Sequence, residues 1–221
     1  MARIALVPLS FALVVAGFFW VAGDWEWWRG WGYLAVVLVG HGGSGLIVWR
    51  HDPELIRRRS RPGAGTKRWD QWWLAGFALC YLAIWVVGAL DHRFGWSQMP
   101  IWLFVPGALL YSLFATGITL SMLANPHFEK TVRIQTDRDH KVIDTGPYAI
   151  VRHPGYAVLI VGYLLPAPLL LGSWWAFVPA VACSLWVVLR TTLEDRTLRR
   201  ELDGYDEYAQ RVRYRLCPRL W

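Results

Sequence analysis

Residues 146–156 read GPYAIVRHPGY and stand where a long polar stretch meets a hydrophobic hairpin. This position places Arg152 and His153 at the edge of an apolar slab, where polar side chains are costly to keep without a ligand or partner. The two prolines suit the first turns of helices, and the two glycines let backbone approach another group closely. The segment therefore predicts a place where a polar ligand is held beside the membrane.

The composition around this segment is that of an integral membrane protein. Of 221 residues, 55% are hydrophobic and 18% are charged, which is too apolar for an ordinary soluble domain. Most of the 16 tryptophans lie at the ends of apolar runs, where indole prefers the headgroup level. Cys80, Cys183 and Cys217 lack metal-type spacing, so we expect neither a disulfide framework nor a metal site.

Six apolar runs approach the length that about 30 Å of hydrocarbon demands of a helix. They cover residues 4–21, 31–49, 72–90, 100–124, 156–171 and 174–189. The first is interpreted as an uncleaved span. The fifth is short and contains two prolines, which favours a tight, tilted hairpin for the last two runs. The predicted fold is an all-α polytopic membrane protein with about six transmembrane helices, or five if the hairpin does not supply two clean spans.

Lysine and arginine are distributed unevenly between the loops. Seven lie in residues 50–70, five in 125–154 and eight from residue 190 onward, against single arginines in the intervening loops. This asymmetry predicts that both termini and both long polar loops face the cytoplasm, in a cell inner membrane. The net charge of +7 is then a membrane-surface feature with membrane lipids as partners, and no nucleic-acid partner is expected.

The second run carries GHGGSG at residues 40–45. For His41 two interpretations stay open: close helix packing with the ring bonded to neighbouring backbone, which we favour, or a functional histidine. The polar stretch 132–144 is long for an ordered loop, and long ordered loops often carry function.

The C-terminal stretch 190–212 has the periodicity of an amphipathic helix. Apolar side chains recur at helical spacing, at Leu198, Leu202, Tyr205, Tyr208 and Val212. This pattern predicts a C-terminal helix on the membrane surface, with Gly204 as a candidate break. Arg190 and Glu194 are one turn apart and share a helix face.

Three motifs in this order resemble the isoprenylcysteine carboxyl methyltransferase family and its bacterial relatives. They are Gly146-Pro147-Tyr148, then Arg152-His153-Pro154-Gly155-Tyr156, then Glu194-Asp195 followed by Leu198, Gly204, Tyr205 and Tyr208. The chain departs from the family in having Asp195 where a second glutamate is usual, and Asp203-Gly204 where Phe-Gly is common. The resemblance covers about residues 125–221. It suggests a methyltransferase region there, with a cytoplasmic loop, hairpin and C-terminal helix, preceded in residues 1–124 by four transmembrane helices with a basic cytoplasmic loop.

The resemblance implies methyl transfer from S-adenosyl-L-methionine, enclosed by the cytoplasmic loop and the hairpin. By position, it implies cofactor binding by Gln135, His140, Lys141, Val142, Ile143, Tyr148, His153, Pro154, Gly155, Tyr156 and Glu194. Arg190 occupies the position expected to bind the substrate and to act in catalysis, with Arg152 as a second candidate catalytic cation.

Carboxyl O-methylation of a lipidic or membrane-soluble acceptor is the first expectation, because the planar fork of an arginine suits a carboxylate. N-methylation of a phospholipid or another lipid amine is the nearest alternative. Outside this class stand a non-catalytic membrane scaffold and a small transporter. A transporter would want ionisable residues near the midplane or an internal repeat, and His41 is essentially the lone such residue in the predicted spans.

Overall fold

The computed structural model describes residues 2–59 and 65–221 of the chain. Part of the predicted basic loop, including Arg61, lies outside the described residues. Within those residues the regular structure is helical and contains no strand, which confirms the all-α class. The α-helices of this part are α1 (Ala2–Ala22), α2 (Trp28–His51), α3 (Pro53–Arg59), α4 (Arg68–Phe94), α5 (Phe104–Ala124), α6 (Pro154–Val158), α7 (Pro166–Leu171), α8 (Phe177–Glu201) and α9 (Tyr205–Arg211).

Five segments of the described chain are long and apolar enough to cross a membrane. They are α2, α4, Ile101–Ala124, Pro154–Leu171 and α8, and they confirm a multi-pass membrane protein. The first predicted run, residues 4–21, falls in α1, whose apolar part in the described chain, Ser10–Ala22, is shorter than a span. The described chain thus has the lower of the two numbers expected from the sequence, but for a different reason: both arms of the hairpin are long and apolar enough to span, and the run that falls short is the first.

The segment Pro154–Leu171 is an irregular helical arm. Between α6 and α7 the chain widens into a π-helix over Leu159–Leu164, and Gly172 ends α7 in the left-handed conformation at φ +76°. The Arg29 guanidinium donates a hydrogen bond of 3.0 Å to the Leu169 carbonyl, one of the last carbonyls of α7. The turn into α8 follows directly, so the predicted hairpin with a broken first arm is confirmed.

The C-terminal stretch differs from its prediction. Residues 190–201 continue α8 instead of starting a separate surface helix, because no helix breaker separates them from the apolar run before them. The break comes at Gly204, which adopts φ +79° and precedes the short helix α9. The expected single helix over 190–212 is therefore wrong, and the interruption at Gly204 is confirmed.

The helices pack as two pairs joined by the irregular arm. α2 lies along α5, and α4 packs against both α8 and α1. The π-helical segment contacts both α5 and α8 and so connects the pairs. The loop between α5 and α6 covers one end of this bundle, where the motif at residues 146–156 lies.

The contact of Gly162 with α5 depends on the absence of a side chain. A Cβ built on Gly162 would lie 2.5 Å from the Phe114 Cβ and 2.8 Å from the Leu110 carbonyl oxygen. We expect Gly162→Ala to push the arm away from α5 and to destabilise the protein by about 1–3 kcal/mol. Thermal unfolding in detergent measures this loss. Gly42→Ala is the matched control, because a Cβ there meets nothing within 4 Å, and equal melting temperatures for the two variants would contradict the expectation.

Candidate active site

A cavity of about 510 Å³ lies where the α5–α6 loop covers the helix bundle. Loop residues and Glu194 form its polar part, and side chains of the spans, among them Phe77, Phe114 and Leu159, form its apolar part. All the site residues expected from the sequence, from Gln135 to Glu194, border this one cavity. Its two kinds of wall suit a polar ligand next to an apolar one.

The motif GPYAIVRHPGY forms two short helical turns joined by a non-helical link. Gly146 has φ +58°, in the left-handed region that favours glycine. Pro147 lies in the first turn of a 3₁₀ helix, Gly146–Ala149, and Pro154 begins α6, as the sequence predicted. A Cβ on Gly155 would lie 2.9 Å from the Phe128 ring, so this glycine permits the close approach expected of it.

Asp195 fixes the motif to the C-terminal tail. Its carboxylate is fully buried and accepts hydrogen bonds from Arg152 Nε at 2.7 Å, Arg215 Nε at 3.0 Å and the Tyr205 hydroxyl at 3.1 Å. His153 Nε2 lies 3.4 Å from the same carboxylate. Asp195, where the chain departs from the usual family pattern, thus joins four parts of the chain: α8, the motif, α9 and the C-terminal tail.

Arg152 is almost completely committed to these contacts. Besides Asp195, it donates from Nη1 to the carbonyls of Val212 and Arg213, each at 2.8 Å. Its backbone N–H also bonds the Tyr214 carbonyl at 2.9 Å. The contacts turn the guanidinium towards the tail, so they give no support to the expectation that Arg152 acts as a second catalytic cation.

Arg190 is held at the cavity wall by Asp70, a residue that the sequence reasoning missed. Nη2 donates to Asp70 Oδ2 at 3.2 Å and to the Lys130 carbonyl at 2.6 Å. Nε lies 3.0 Å from Asp70 Oδ1, but the alignment is poor and neither atom has a well-formed hydrogen bond. The guanidinium carbon lies 4.3 Å over the ring of Trp73 and 5.4 Å over that of Tyr156.

The remaining nitrogen of Arg190, Nη1, has no hydrogen-bond partner among the described residues. It is therefore available to a ligand in the cavity. A signal for Asp70 was present in the sequence, because an acid at the edge of an apolar run generally faces the bundle interior and a partner.

Glu194 lies one turn beyond Arg190 on the same face of α8. The Tyr156 hydroxyl donates to its Oε2 at 2.5 Å, while Oε1 is 3.9 Å from His153 Nδ1, beyond hydrogen-bond distance. The side chain is 21% exposed. One carboxylate oxygen is thus oriented by tyrosine and the other is free to accept from a ligand.

Gln135 is buried and braces the loop through its amide. Its Nε2 donates to the His127 carbonyl at 2.7 Å, and its Oε1 accepts from Arg138 at 3.1 Å. Its backbone N–H lies 3.3 Å from His140 Nδ1. Lys141 extends to Asp139 at 2.6 Å in solvent, so within the predicted stretch 140–143 its charged group is directed away from the cavity.

Tyr148 lies beneath this loop with its ring buried. Asn125 Nδ2 donates to its hydroxyl at 3.3 Å, and the hydroxyl in turn donates to the Ser121 carbonyl at 3.4 Å. Burial raises the pKa of this phenol, which keeps it neutral, and its ring can contact a ligand through its face.

His41 borders the apolar part of the cavity. Its Nδ1 lies 3.1 Å from the Val37 carbonyl and also contacts the Tyr111 hydroxyl. Gly40 beside it packs tightly on the Tyr111 ring. These contacts agree with the favoured interpretation of close packing, and the ring's position at the cavity wall keeps the functional interpretation open.

The described residues bring together no group of three or more histidine, cysteine, aspartate or glutamate side chains that could hold a metal ion. The polar part of the cavity is formed by hydrogen-bonding groups, aromatic rings and arginine side chains.

The histidine pair in the loop makes the site sensitive to acid. The rings of His127 and His140 are 4.4 Å apart, and burial, together with the charge of His127, lowers the pKa of His140 to about 4. An unfolded chain binds this proton near pH 6.5, so stability falls as the pH drops from 6.5 towards 4, by about 1–2 kcal/mol at pH 5.

Melting temperatures of the wild type and His140→Gln between pH 7 and pH 5 test this expectation. The wild type should lose more stability on acidification than His140→Gln. His51→Gln, at an exposed histidine in the last turn of α2, is the control and should show the pH dependence of the wild type. Identical pH dependence in the wild type and His140→Gln would contradict the assignment.

The comparisons with known proteins cover part of this site. No curated protein matches the chain. Residues 108–200 match the sequence model of the Isoprenylcysteine carboxyl methyltransferase (ICMT) family. The match includes the loop, the motif, the arm and most of α8, and it ends before Gly204, Tyr205 and Tyr208. Together with the five candidate spans it supports a membrane methyltransferase. The resemblance to the isoprenylcysteine carboxyl methyltransferase family is thereby confirmed over residues 108–200.

Proposed function

We propose that the protein transfers a methyl group from S-adenosylmethionine to a carboxylate on a lipidic or membrane-soluble acceptor. The observation that carries this proposal is the position of Arg190 at the wall of a cavity that is polar in one part and apolar in another. Its free Nη1 suits an anion. The proposed setting is the inner membrane, with both termini in the cytoplasm, because lysine and arginine concentrate in the loops and the tail on that side.

The residues at the polar part fit the chemistry of the cofactor. Glu194 has an oxygen free to accept from an ammonium or a ribose hydroxyl. Tyr148 offers a buried, neutral ring. Residues 153–156, which form the first turn of α6, border the same part of the cavity. When bound, S-adenosylmethionine supplies an electrophilic methyl group on a positively charged sulfur. We assign Gln135 a bracing role, since its amide is already bonded within the loop.

Arg190 would bind the acceptor carboxylate through Nη1, and Asp70 would hold the guanidinium in the orientation this requires. The Trp73 and Tyr156 rings cover the faces of the guanidinium. A carboxylate is already ionised, so attack by its oxygen needs no general base. Positioning of the two reactants in the cavity would then supply much of the rate. Arg152 would contribute by positioning the motif.

Binding of S-adenosylhomocysteine tests the cofactor assignment. We expect saturable calorimetric binding by the detergent-purified wild type and at least a tenfold weaker affinity in Glu194→Gln, because the variant loses a charge-assisted hydrogen bond. Glu207→Gln, an exposed acid on α9, should bind like the wild type. Absence of binding by a folded wild type would favour the non-catalytic scaffold.

Methyl transfer tests the acceptor. Arg190→Lys keeps the charge opposite Asp70 but loses the planar fork, and we expect labelled methyl transfer into membrane lipid extracts to fall about 100-fold. Binding of S-adenosylhomocysteine should stay within about twofold of the wild type. Label released by alkali as methanol marks an ester. Alkali-stable label, with activity retained in Arg190→Lys, would identify the lipid amine as the acceptor instead.

A further inference from the structure

Arg59 brings a second arginine to the same cavity from the N-terminal half of the chain. It is the last residue of α3 and borders the cavity together with Arg190. It lies outside residues 108–200, so the family match says nothing about it. The proposed function does not use it.

Arg59 follows two arginines that have acidic partners within their own segment. Arg57 Nη1 is 3.4 Å from Glu54, and Arg58 Nη2 is 3.2 Å from Asp52. Arg59 makes no ion pair with any carboxylate among the described residues. Of the three successive cations, the one that faces the cavity is thus the one without an ion-paired carboxylate in the described part of the chain.

The contacts of Arg59 orient its guanidinium without neutralising it. Nη1 donates to the Phe128 carbonyl at 3.1 Å, and the guanidinium carbon lies 4.8 Å over the Phe128 ring. Phe128 in turn packs on Gly155 of the motif. Glu129 follows in the loop, but both of its oxygens are bonded by Arg133, at 2.8 and 2.9 Å. That acid therefore forms no ion pair with Arg59, although its charge acts at a distance in the direction that raises the pKa of Arg59.

The helix that carries Arg59 is anchored, so the side chain is held beside the cavity. Asp52 Oδ1 caps α3 by accepting from the Leu55 N–H at 2.9 Å. Leu55 is buried against Val48 and Met122. Burial lowers the pKa of Arg59, and the charge of Arg190 acts in the same direction. A bound anion would offset this unfavourable burial of charge.

We propose that Arg59 is an anion-binding residue of the cavity and that its ligand is a carboxylate. The inference rests on the proposed function for the identity of that carboxylate. Two sources have the same chemistry: the amino-acid carboxylate of the cofactor and the carboxylate of the acceptor. Both would meet the planar, charged fork that Arg59 presents.

Two ligand pairs separate these sources in the wild type, Arg59→Gln and the control Arg57→Gln, whose side chain is exposed. The first pair is S-adenosylhomocysteine and 5′-methylthioadenosine, which lacks the amino-acid carboxylate, measured by calorimetry. The second is dodecanoate and dodecanol, measured by thermal shift in phosphatidylcholine nanodiscs. Arg59→Lys, which keeps the charge, is a second variant that still tests Arg59 if Arg59→Gln does not fold.

A cofactor carboxylate predicts that Arg59→Gln weakens S-adenosylhomocysteine about tenfold or more while 5′-methylthioadenosine is unaffected. An acceptor carboxylate predicts unchanged S-adenosylhomocysteine binding and loss of the preference for dodecanoate over dodecanol. Arg59→Lys should fall between the wild type and Arg59→Gln. The proposal is overturned if Arg59→Gln matches Arg57→Gln with both pairs. A wild type that binds no S-adenosylhomocysteine would defeat the proposed function, while the dodecanoate pair would still test Arg59.

Discussion

The buried carboxylate of Asp195 is the constraint on which the site depends. A charge removed from water must be paired and hydrogen-bonded, and Asp195 is paired with groups from the motif, from α8 itself, from α9 and from the tail. Those four segments have to meet at one point. The tail then closes over the motif through the backbone bonds at Arg152 and His153, and one wall of the cavity becomes fixed.

A second buried pair joins the two halves of the chain. Asp70 lies in the first turn of α4, and Arg190 lies on α8, 120 positions later. The same aspartate accepts the Val132 N–H of the loop at 2.7 Å. The loop, the fourth helix and the last span are thus held together at the cavity. The N-terminal helices consequently contribute to the site itself. The predicted division into two regions at residue 124 stays a prediction, and the cavity is lined by residues from both sides of it.

The sequence predicted what local chemistry determines. Apolar length gave the spans, Pro147 and Pro154 gave the starts of two helical turns, and the ordered motifs led to the residues that border the cavity. The sequence could not show which residues pair with one another, because Asp195 bonds Arg152 and Asp70 bonds Arg190 across long separations in the chain. The continuation of α8 past Arg190 was missed for a different reason. A change from apolar to amphipathic composition marks the membrane surface, but it does not end a helix.

The carboxylate partners of three arginines distinguish their roles. Arg152 bonds Asp195 and two carbonyls, which leaves it a structural link. Arg190 shares one aspartate and keeps one nitrogen free, which suits a residue that is oriented by the protein and also binds a ligand. Arg59 has no carboxylate partner in the described chain. Because a partly buried cation without an ion-pair partner is unfavourable, its presence is best explained by an anion that arrives with the substrates.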